Sequence, residues 1–423
     1  MLSREDNERI TRVGPGTPGG NLFRRYWMPA CLTSELGQPD DPPVRVRLLG
    51  EDLIAFRDSK GRPALLDAYC PHRRAPMFYG RNEDCGLRCV YHGWKFDLNG
   101  DCVDMPSEPA DTPLKAKVKI RSFPVVDCGG IIWTYMGPRD TMPPPPDHEW
   151  TRAPATHRHV TKTFEDCNYL QALEGGLDTA HSSFAHNNAI HDPKELRNAD
   201  KSPSIEIERT DYGYWYASTR KIGPDRKWIK YYNYIMPTMQ ARGGITAISG
   251  GHNDVPKIDG HIWVPIDDET CHVYNWALGY DENTPLTPEY MEEFSAFTGR
   301  GKDDHIPGTF KLIRNKANDY LIDRKLQKEK TYTGITGLNT QDYALQEGMG
   351  QIVDRSQEFL GTSDRAIVTM RRLMLEAIDE VAQGRMPRGS DPTTYRNVRA
   401  HDEIIPADAD WRGALAGEIV AKF

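Results

Sequence analysis

Short runs of alternating apolar and polar residues fill the first third of the chain. Val44 to Arg57 reads as two strands around the turn signal Gly50-Glu51-Asp52, and Pro63 to Tyr69 as a third, set off by Ser59-Lys60-Gly61. Leu87 to Val90 and Trp94 to Leu98 are further short strands, the second ending at the hairpin signal Asn99-Gly100. Gly130 to Met136 is another apolar strand, and the proline run 143–146 followed by Asp147 reads as a stiff linker. An all-β unit is therefore expected over residues 1–150 and a second unit over 151–423. In the second unit the runs Gly213 to Arg220, Gly260 to Pro265 and His272 to Leu278 predict an antiparallel sheet. Helices are expected near 165–185, 288–300 and 363–383, the last from the amphipathic run Arg365 to Ala382. The fold class is α+β. No repeat of solenoid period and no low-complexity tail interrupts it.

Composition narrows the function classes. A chain of 423 residues is long enough for two cores. A net charge of −8 argues against nucleic acid or an anionic membrane as partner. The first residues, Met1 to Arg9, are polar and charged, so no signal peptide is read there, and no apolar run approaches a membrane span. The eight cysteines lack a disulfide-like rhythm, so six of them, Cys85 included, are expected to be reduced thiols of a cytoplasmic protein. Gly14-Pro15-Gly16-Thr17-Pro18-Gly19 matches G-x-G-x-x-G, but no strand precedes it and its prolines are expected to spoil the turn and the helix start.

The remaining two cysteines sit in pairs with histidine. Cys70-Pro71-His72 and Cys89-Val90-Tyr91-His92 each offer one thiolate and one imidazole from a short loop. A Cys2His2 zinc site usually groups like with like. Mixed pairs suit a [2Fe–2S] centre in which two Cys hold one iron and two His the other, at a higher potential than an all-Cys cluster. The second pair runs on as Gly93-Trp94-Lys95-Phe96, and the whole C-x-H…C-x2-H-G-W-x-F pattern resembles the Rieske domain of aromatic-ring-hydroxylating oxygenases. One departure is Arg74, where that family usually carries Gly or Ala two residues after the first His.

A second motif, Asp178-x2-His181-x4-His186, follows in a helix-rich stretch. Non-heme iron(II) oxygenases hold their metal with two His and one carboxylate and leave other positions open. Asp178 and His181 are spaced to share a helical face. His181 and His186 lie about 140° apart on an ideal helix, so the helix must break if both bind one metal. Behind a Rieske signature, the stretch Asn168 to His186 resembles the catalytic iron motif of the phthalate dioxygenase branch, as do Asn21 to Trp27 and Val44 to Gly50.

That resemblance implies a Rieske domain followed by a helix-grip-like catalytic domain, an antiparallel sheet with flanking helices. It implies His181 and His186 as ligands of a mononuclear Fe(II), with Asp178 a bridging aspartate and Asn168 a second catalytic position. The third ligand lies far along the chain, where Asp342, Asp354 and Asp364 are candidates. Asp342, in Gln341-Asp342-x4-Glu347, is similar to the family's late ligand segment, whereas an ion pair with Arg355 accounts for Asp354 and a place in a first helical turn for Asp364. The family forms head-to-tail rings, a trimer or stacked trimers, that bring one subunit's cluster to the next subunit's iron. Electrons would come from NAD(P)H through a separate flavin and iron–sulfur reductase, drawn to Arg73, Arg74 and Lys95. The branch acts mainly on aromatic carboxylates with O2, and Arg209, Arg220 and Arg242 are the candidate cations for the acid. Dioxygenation of a phthalate-like acid is the leading expectation. A monooxygenase such as an O-demethylase acting on an aryl ether or substituted benzoate is the runner-up, and a pure electron carrier or a zinc-organised binding module are the other classes.

Overall fold

The structure is a computed structural model that describes residues 1–193, 195–243 and 255–423. Three antiparallel sheets build the first unit. Trp27–Leu32, Ile131–Tyr135 and Val125–Cys128 form one; Val44–Leu48, Glu51–Arg57, Pro63–Asp67 and Ser122–Phe123 another; Arg81–Glu83, Gly86–Arg88, Lys95–Phe96 and Cys102–Asp104 the third. The first strands and turns read from the sequence are all present, at slightly different lengths. The third sheet and part of the second enclose their own core, in which Ile54, Phe56, Leu66, Leu87 and Phe96 pack around Cys70 and Cys89.

The second unit is an eight-stranded antiparallel sheet. Its order is Arg158–Glu165, Cys271–Gly279, Lys257–Pro265, Met239–Gly243, Arg226–Ile235, Gly213–Ile222 and Ser204–Thr210, with His401–Pro406 also pairing to Arg226–Ile235. Helices Tyr169–Leu177, Pro288–Thr298, Leu338–Gly348 and Arg365–Ala382 flank it. The last buries Ala366, Met370, Leu373, Met374, Ala377 and Val381, the three-and-four spacing of a helix with one apolar face.

The N-terminal segment packs on this second unit. Helix Arg4–Thr11 lies against the 353–355 turn, where Asn7 Nδ2 donates to Val353 O at 2.9 Å, and Tyr169 donates its hydroxyl to Ile10 O. The glycine-rich stretch is a loop only as far as Thr17. Contrary to the expectation, Pro18 opens helix Pro18–Phe23, because proline at the first helical position loses no hydrogen bond and Thr17 caps it from Gly20 N–H. No helix among the described residues is long and apolar enough to cross a membrane.

Candidate metal centres and substrate pocket

Two loops of the same build carry the cysteine–histidine pairs. Arg74 N–H returns to Cys70 O and Gly93 N–H to Cys89 O, each at 2.9 Å, and both residues sit at left-handed φ, +59° and +78°. Glycine is needed at 93, where a Cβ would lie 2.6 Å from Pro106 Cγ. Arg74 adopts the same conformation with a side chain. Its mostly exposed guanidinium lies 4.8 Å from the Tyr69 ring and 3.6 Å from Asp67, so the departure leaves the loop shape unchanged.

The loops bring all four residues together. The rings of His72 and His92 are 4.5 Å apart, and His72 stacks on Trp94 at 4.3 Å. Cys70 and Cys89 are buried. His72 Nδ1 is buried without a hydrogen-bond partner, a costly state for a ring nitrogen unless a metal takes its lone pair. Two thiols, two imidazoles and this orphaned nitrogen fit a [2Fe–2S] cluster. Lys95, expected on the surface, is instead buried, with its ammonium donating to Asp84 O at 3.3 Å, because the short strand Lys95–Phe96 lies inside its sheet.

The histidine motif is positioned by helix Tyr169–Leu177. Asn168 caps it, accepting from Leu170 N–H at 3.0 Å, while its amide donates to Thr11 O and Asp268 O. Asn168 is wholly buried and does not line the pocket; what it does in this structure is cap the helix. Glu174 anchors the same helix, accepting from Arg355 at 2.9 Å and Arg371 at 2.6 Å. Arg355 is thereby taken from Asp354, and the expected ion pair is not formed. Asp354 caps its own turn through Ser356 and Gln357, and Asp364 accepts from Gly361 N–H ahead of the long helix.

The helix stops at Leu177. Asp178 is extended (φ −73°, ψ 121°) and His181 opens a separate short turn, His181–Ser183, so the expected break is present. Asp178 and His181 therefore share no helical face; the carboxylate comes within 3.8 Å of His181 Nδ1 across the turn. Helix Leu338–Gly348 supplies Asp342, held near by Gln171, whose amide donates to Gln346 O and Gly350 O.

His181 Nε2, His186 Nε2 and Asp342 Oδ1 form a triangle with sides of 3.0, 3.4 and 3.3 Å. Bonds of about 2.1 Å to one ion span edges of about 3.0–3.4 Å for ligand angles between a right angle and the tetrahedral angle, so the three atoms are spaced to hold a single metal ion. His186 Nδ1 donates to Gln341 Oε1 at 2.9 Å, and that amide is oriented by its own bonds to Ile335 O and Asn188 Oδ1. The proton is thus held on Nδ1 and the Nε2 lone pair faces the centre. Burial would raise Asp342, but the imidazoles of His186 and His181 outweigh it and hold the carboxyl well below its ordinary range. The set fits Fe(II).

A cavity of about 980 Å³, mouth included, opens beside the triangle. Trp228, Tyr232, Trp263 and Phe294 give it aromatic walls, and Arg197, Lys230 and Arg242 give it positive charge. Arg242 donates to Asp259. Lys230 is 9% exposed, sits opposite Asp402 on the neighbouring strand, whose charge acts on it, and lies 5.2 and 5.5 Å from the Trp228 and Tyr232 rings; burial lowers it to about 8. Of the arginines expected to bind the acid, only Arg242 is here. Arg209 is half exposed on the edge strand and clamps Glu376 at 3.0 and 3.1 Å. Arg220 is buried and ties Thr179 O and Ser182 Oγ, stiffening the loop between Asp178 and His181. Lys230 and Arg197 escaped the sequence reading. The sign for Lys230 was its place between Trp228 and Tyr232 on one face of a strand; Arg197, on the four-residue helix Leu196–Ala199, carried no such sign.

Family models match both units: a Rieske [2Fe-2S] domain over residues 26–124 and a LigXa C-terminal domain like model over 134–422. The phthalate 4,5-dioxygenase oxygenase subunit of Pseudomonas putida is 38% identical over 97% of this chain and 94% of its own. The 3-chlorobenzoate-3,4-dioxygenase oxygenase subunit of Comamonas testosteroni is 34% identical over 99% of each chain. The 5,5'-dehydrodivanillate O-demethylase oxygenase subunit of Sphingobium sp. is 33% identical over 100% of this chain and 91% of its own. The crystal structure of dicamba monooxygenase bound to dicamba shares the fold, with a TM-score of 0.60 at 20% identity over 85% of this chain and 98% of that one. With a Rieske [2Fe–2S] cluster and a catalytic Fe(II), this chain belongs to the Rieske non-heme iron oxygenases, as the oxygenase component of an aromatic ring-hydroxylating or O-demethylating system.

Proposed function

We propose that the chain dihydroxylates an aromatic carboxylate of the phthalate type, using O2 and electrons from NAD(P)H through a separate flavin and iron–sulfur reductase. The observation that carries this is Lys230, a buried ammonium set beside aromatic rings in the pocket next to His181, His186 and Asp342. An apolar ring with an acid group answers that wall: the aromatics sandwich the ring and the cation pairs with the acid. The names of the two dioxygenase relatives point the same way.

In this reading Cys70, His72, Cys89 and His92 hold the cluster, and His181, His186 and Asp342 hold the iron. Bound there, the cluster would supply single electrons and the iron would supply open positions for O2 beside the substrate. Lys230 and Arg242 orient the acid so that the ring is presented to the iron, and the aromatic walls exclude water from it. The Asp178 carboxylate, 3.8 Å from His181 Nδ1, attracts that N–H and so favours the tautomer that leaves Nε2 free, and it bridges to the cluster of a neighbouring subunit in a head-to-tail trimer. The reductase docks beside exposed Arg73 and Arg74, in the cytoplasm where its nicotinamide supply lies.

A reductase-free single turnover tests this. The protein is reduced chemically and exposed to labelled O2 with benzoates, phthalates and methoxybenzoates. A cis-dihydrodiol carrying two labelled oxygens is expected. The O-demethylase relative supports a second reading, in which one labelled oxygen is incorporated and formaldehyde is released. No product from any acid, with cluster and iron intact, rejects both.

A further inference from the structure

A second cavity, of about 780 Å³ with its mouth included, opens beside the edge strand Arg158–Glu165 of the large sheet. Its lining includes exposed Lys311 and half-buried Asp166 and Lys316, so water reaches it. Buried Tyr343 and Glu347, one turn apart on helix Leu338–Gly348, complete the wall. Tyr343 also lines the substrate pocket, one residue after Asp342, so a single side chain stands in the walls of both spaces.

Buried polar atoms gather at this wall. Val273, which lines the substrate pocket, pairs with Thr163 across the sheet, and Cys271 pairs with Glu165. Paired residues point to one face, so Thr163 and Glu165 face the pocket side, and both are fully buried. Among the described residues, Glu165 Oε2, Thr163 Oγ1 and the Tyr343 hydroxyl have no hydrogen-bond partner, and Glu165 Oε1 has only the Cys167 thiol at 3.6 Å. Such atoms are costly to bury, and a file of waters between the two spaces would satisfy all three. Glu347 accepts from the Tyr320 hydroxyl and from Asp166 N–H at 2.9 Å. Asp319, Tyr320 and Leu321 all take left-handed φ, +48°, +54° and +52°, where Tyr320 meets Glu347. That conformation costs about 1–2 kcal/mol per residue, and strain of this kind clusters at working sites. Burial, and then the Glu347 charge, push the Glu165 carboxyl well above its ordinary range. Asp342 acts in the same direction and Lys316 and the Cys167 thiol against it, while Cys271, Tyr320 and Tyr343 also face it. Glu165 thus keeps a proton that an exposed glutamate loses.

We propose that this cavity is the proton inlet of the oxygenase: Glu347 takes protons from its water, and Glu165 and Tyr343 pass them through bridging water into the substrate pocket. The chemistry consumes them. Dihydroxylation takes up one O2, two electrons from the reductase and two protons; the O–O bond breaks, two C–O bonds form and each oxygen gains one proton. O-Demethylation has the same uptake, one oxygen ending in formaldehyde and a phenol and the other in water. A seated substrate blocks the mouth of the pocket, and Arg197, Lys230 and Arg242 in its wall repel a proton arriving that way. Tyr343 gives one proton as it takes another, so its charge does not change. The route rests on the oxygenase chemistry that both substrate readings above share.

Infrared spectroscopy of the full protein in H2O and D2O tests the carrier without turnover. A carboxylic-acid C=O band that moves in D2O is expected at pH 7, and Glu165→Gln is expected to remove it. The protein is then reduced chemically and given O2 with the benzoates, phthalates and methoxybenzoates in single turnovers. Glu165→Gln and Tyr343→Phe are each expected to slow product formation about tenfold or more and to raise its solvent isotope effect, with cluster spectrum and bound iron unchanged. Glu165→Asp, which still carries a proton, is expected to restore part of the rate. No slowing overturns the relay, and so does slowing with an unchanged isotope effect, the mark of a structural role. If Glu165→Gln does not fold, as judged by the cluster spectrum, Tyr343→Phe decides on the same two readings. A wild type that turns over none of the acids fails the substrate reading alone. The infrared band then decides the relay: no such band at pH 7, or one unchanged in Glu165→Gln, rejects it.

Discussion

Four donors within residues 70–92 make the proposed cluster site, whereas the proposed iron site draws on residues 181, 186 and 342. The first is shaped by hydrogen bonds that each loop makes to itself, Arg74 to Cys70 and Gly93 to Cys89, inside a small separate core. The second depends on two helices meeting. Glu174 with Arg355 and Arg371 anchors one, Gln171 binds the backbone of the other, and Gln341 sets the His186 tautomer. The loops need a local backbone; the triangle needs the whole second unit. The same contrast holds for surroundings, since the iron site opens on a deep charged and aromatic pocket and the cluster loops expose Val90 and Tyr91 to solvent.

If the two sites are built independently, each is removable alone. His181→Ala is expected to abolish iron binding and turnover and leave the visible cluster spectrum unchanged, and Cys89→Ala to abolish the spectrum and leave iron in place. Metal and acid-labile sulfide analysis reads both, and a variant that loses both centres would break the comparison. Gln341→Leu tests dependence on the outer partner: iron affinity should fall about 10–100-fold in a metal titration, with the cluster untouched.

Lys230→Met is expected to weaken aromatic carboxylate binding about tenfold. Because burial lowers Lys230 to about 8, its ammonium is charged below that pH and neutral above it. Wild-type affinity should therefore decline as pH rises through about 8, and the variant's profile should be flat there. The smallest effect is expected at Arg74→Gly. Relief of the left-handed strain, about 1–2 kcal/mol, is partly offset by the freer unfolded chain, leaving a gain of up to about 1 kcal/mol in a melt followed by cluster absorbance.

The strands on either side of the cluster loops were legible because turn residues and alternation mark them. Strand Arg226–Ile235 was not. Its Trp228, Tyr232 and Tyr234 face the pocket side while Ile229 and Tyr231 pack on Ile405 and Trp411, so both faces are apolar and alternation disappears. Lys230 was hidden with it. Arg209, Arg220 and Asn168 show the opposite failure: their types suited chemistry, but their partners Glu376, Thr179 and Thr11 come from distant segments that no local pattern reveals.

By itself the sequence determined the family, the two cofactors, the cysteine–histidine loops and the need for a helix break before His186, because each depends on residue types within a few positions of one another. Tertiary structure alone decided that Asp342 completes the triangle and that Lys230 and not Arg209 lines the pocket. Those outcomes depend on which buried charge meets which partner, and packing of segments far apart in the chain sets that.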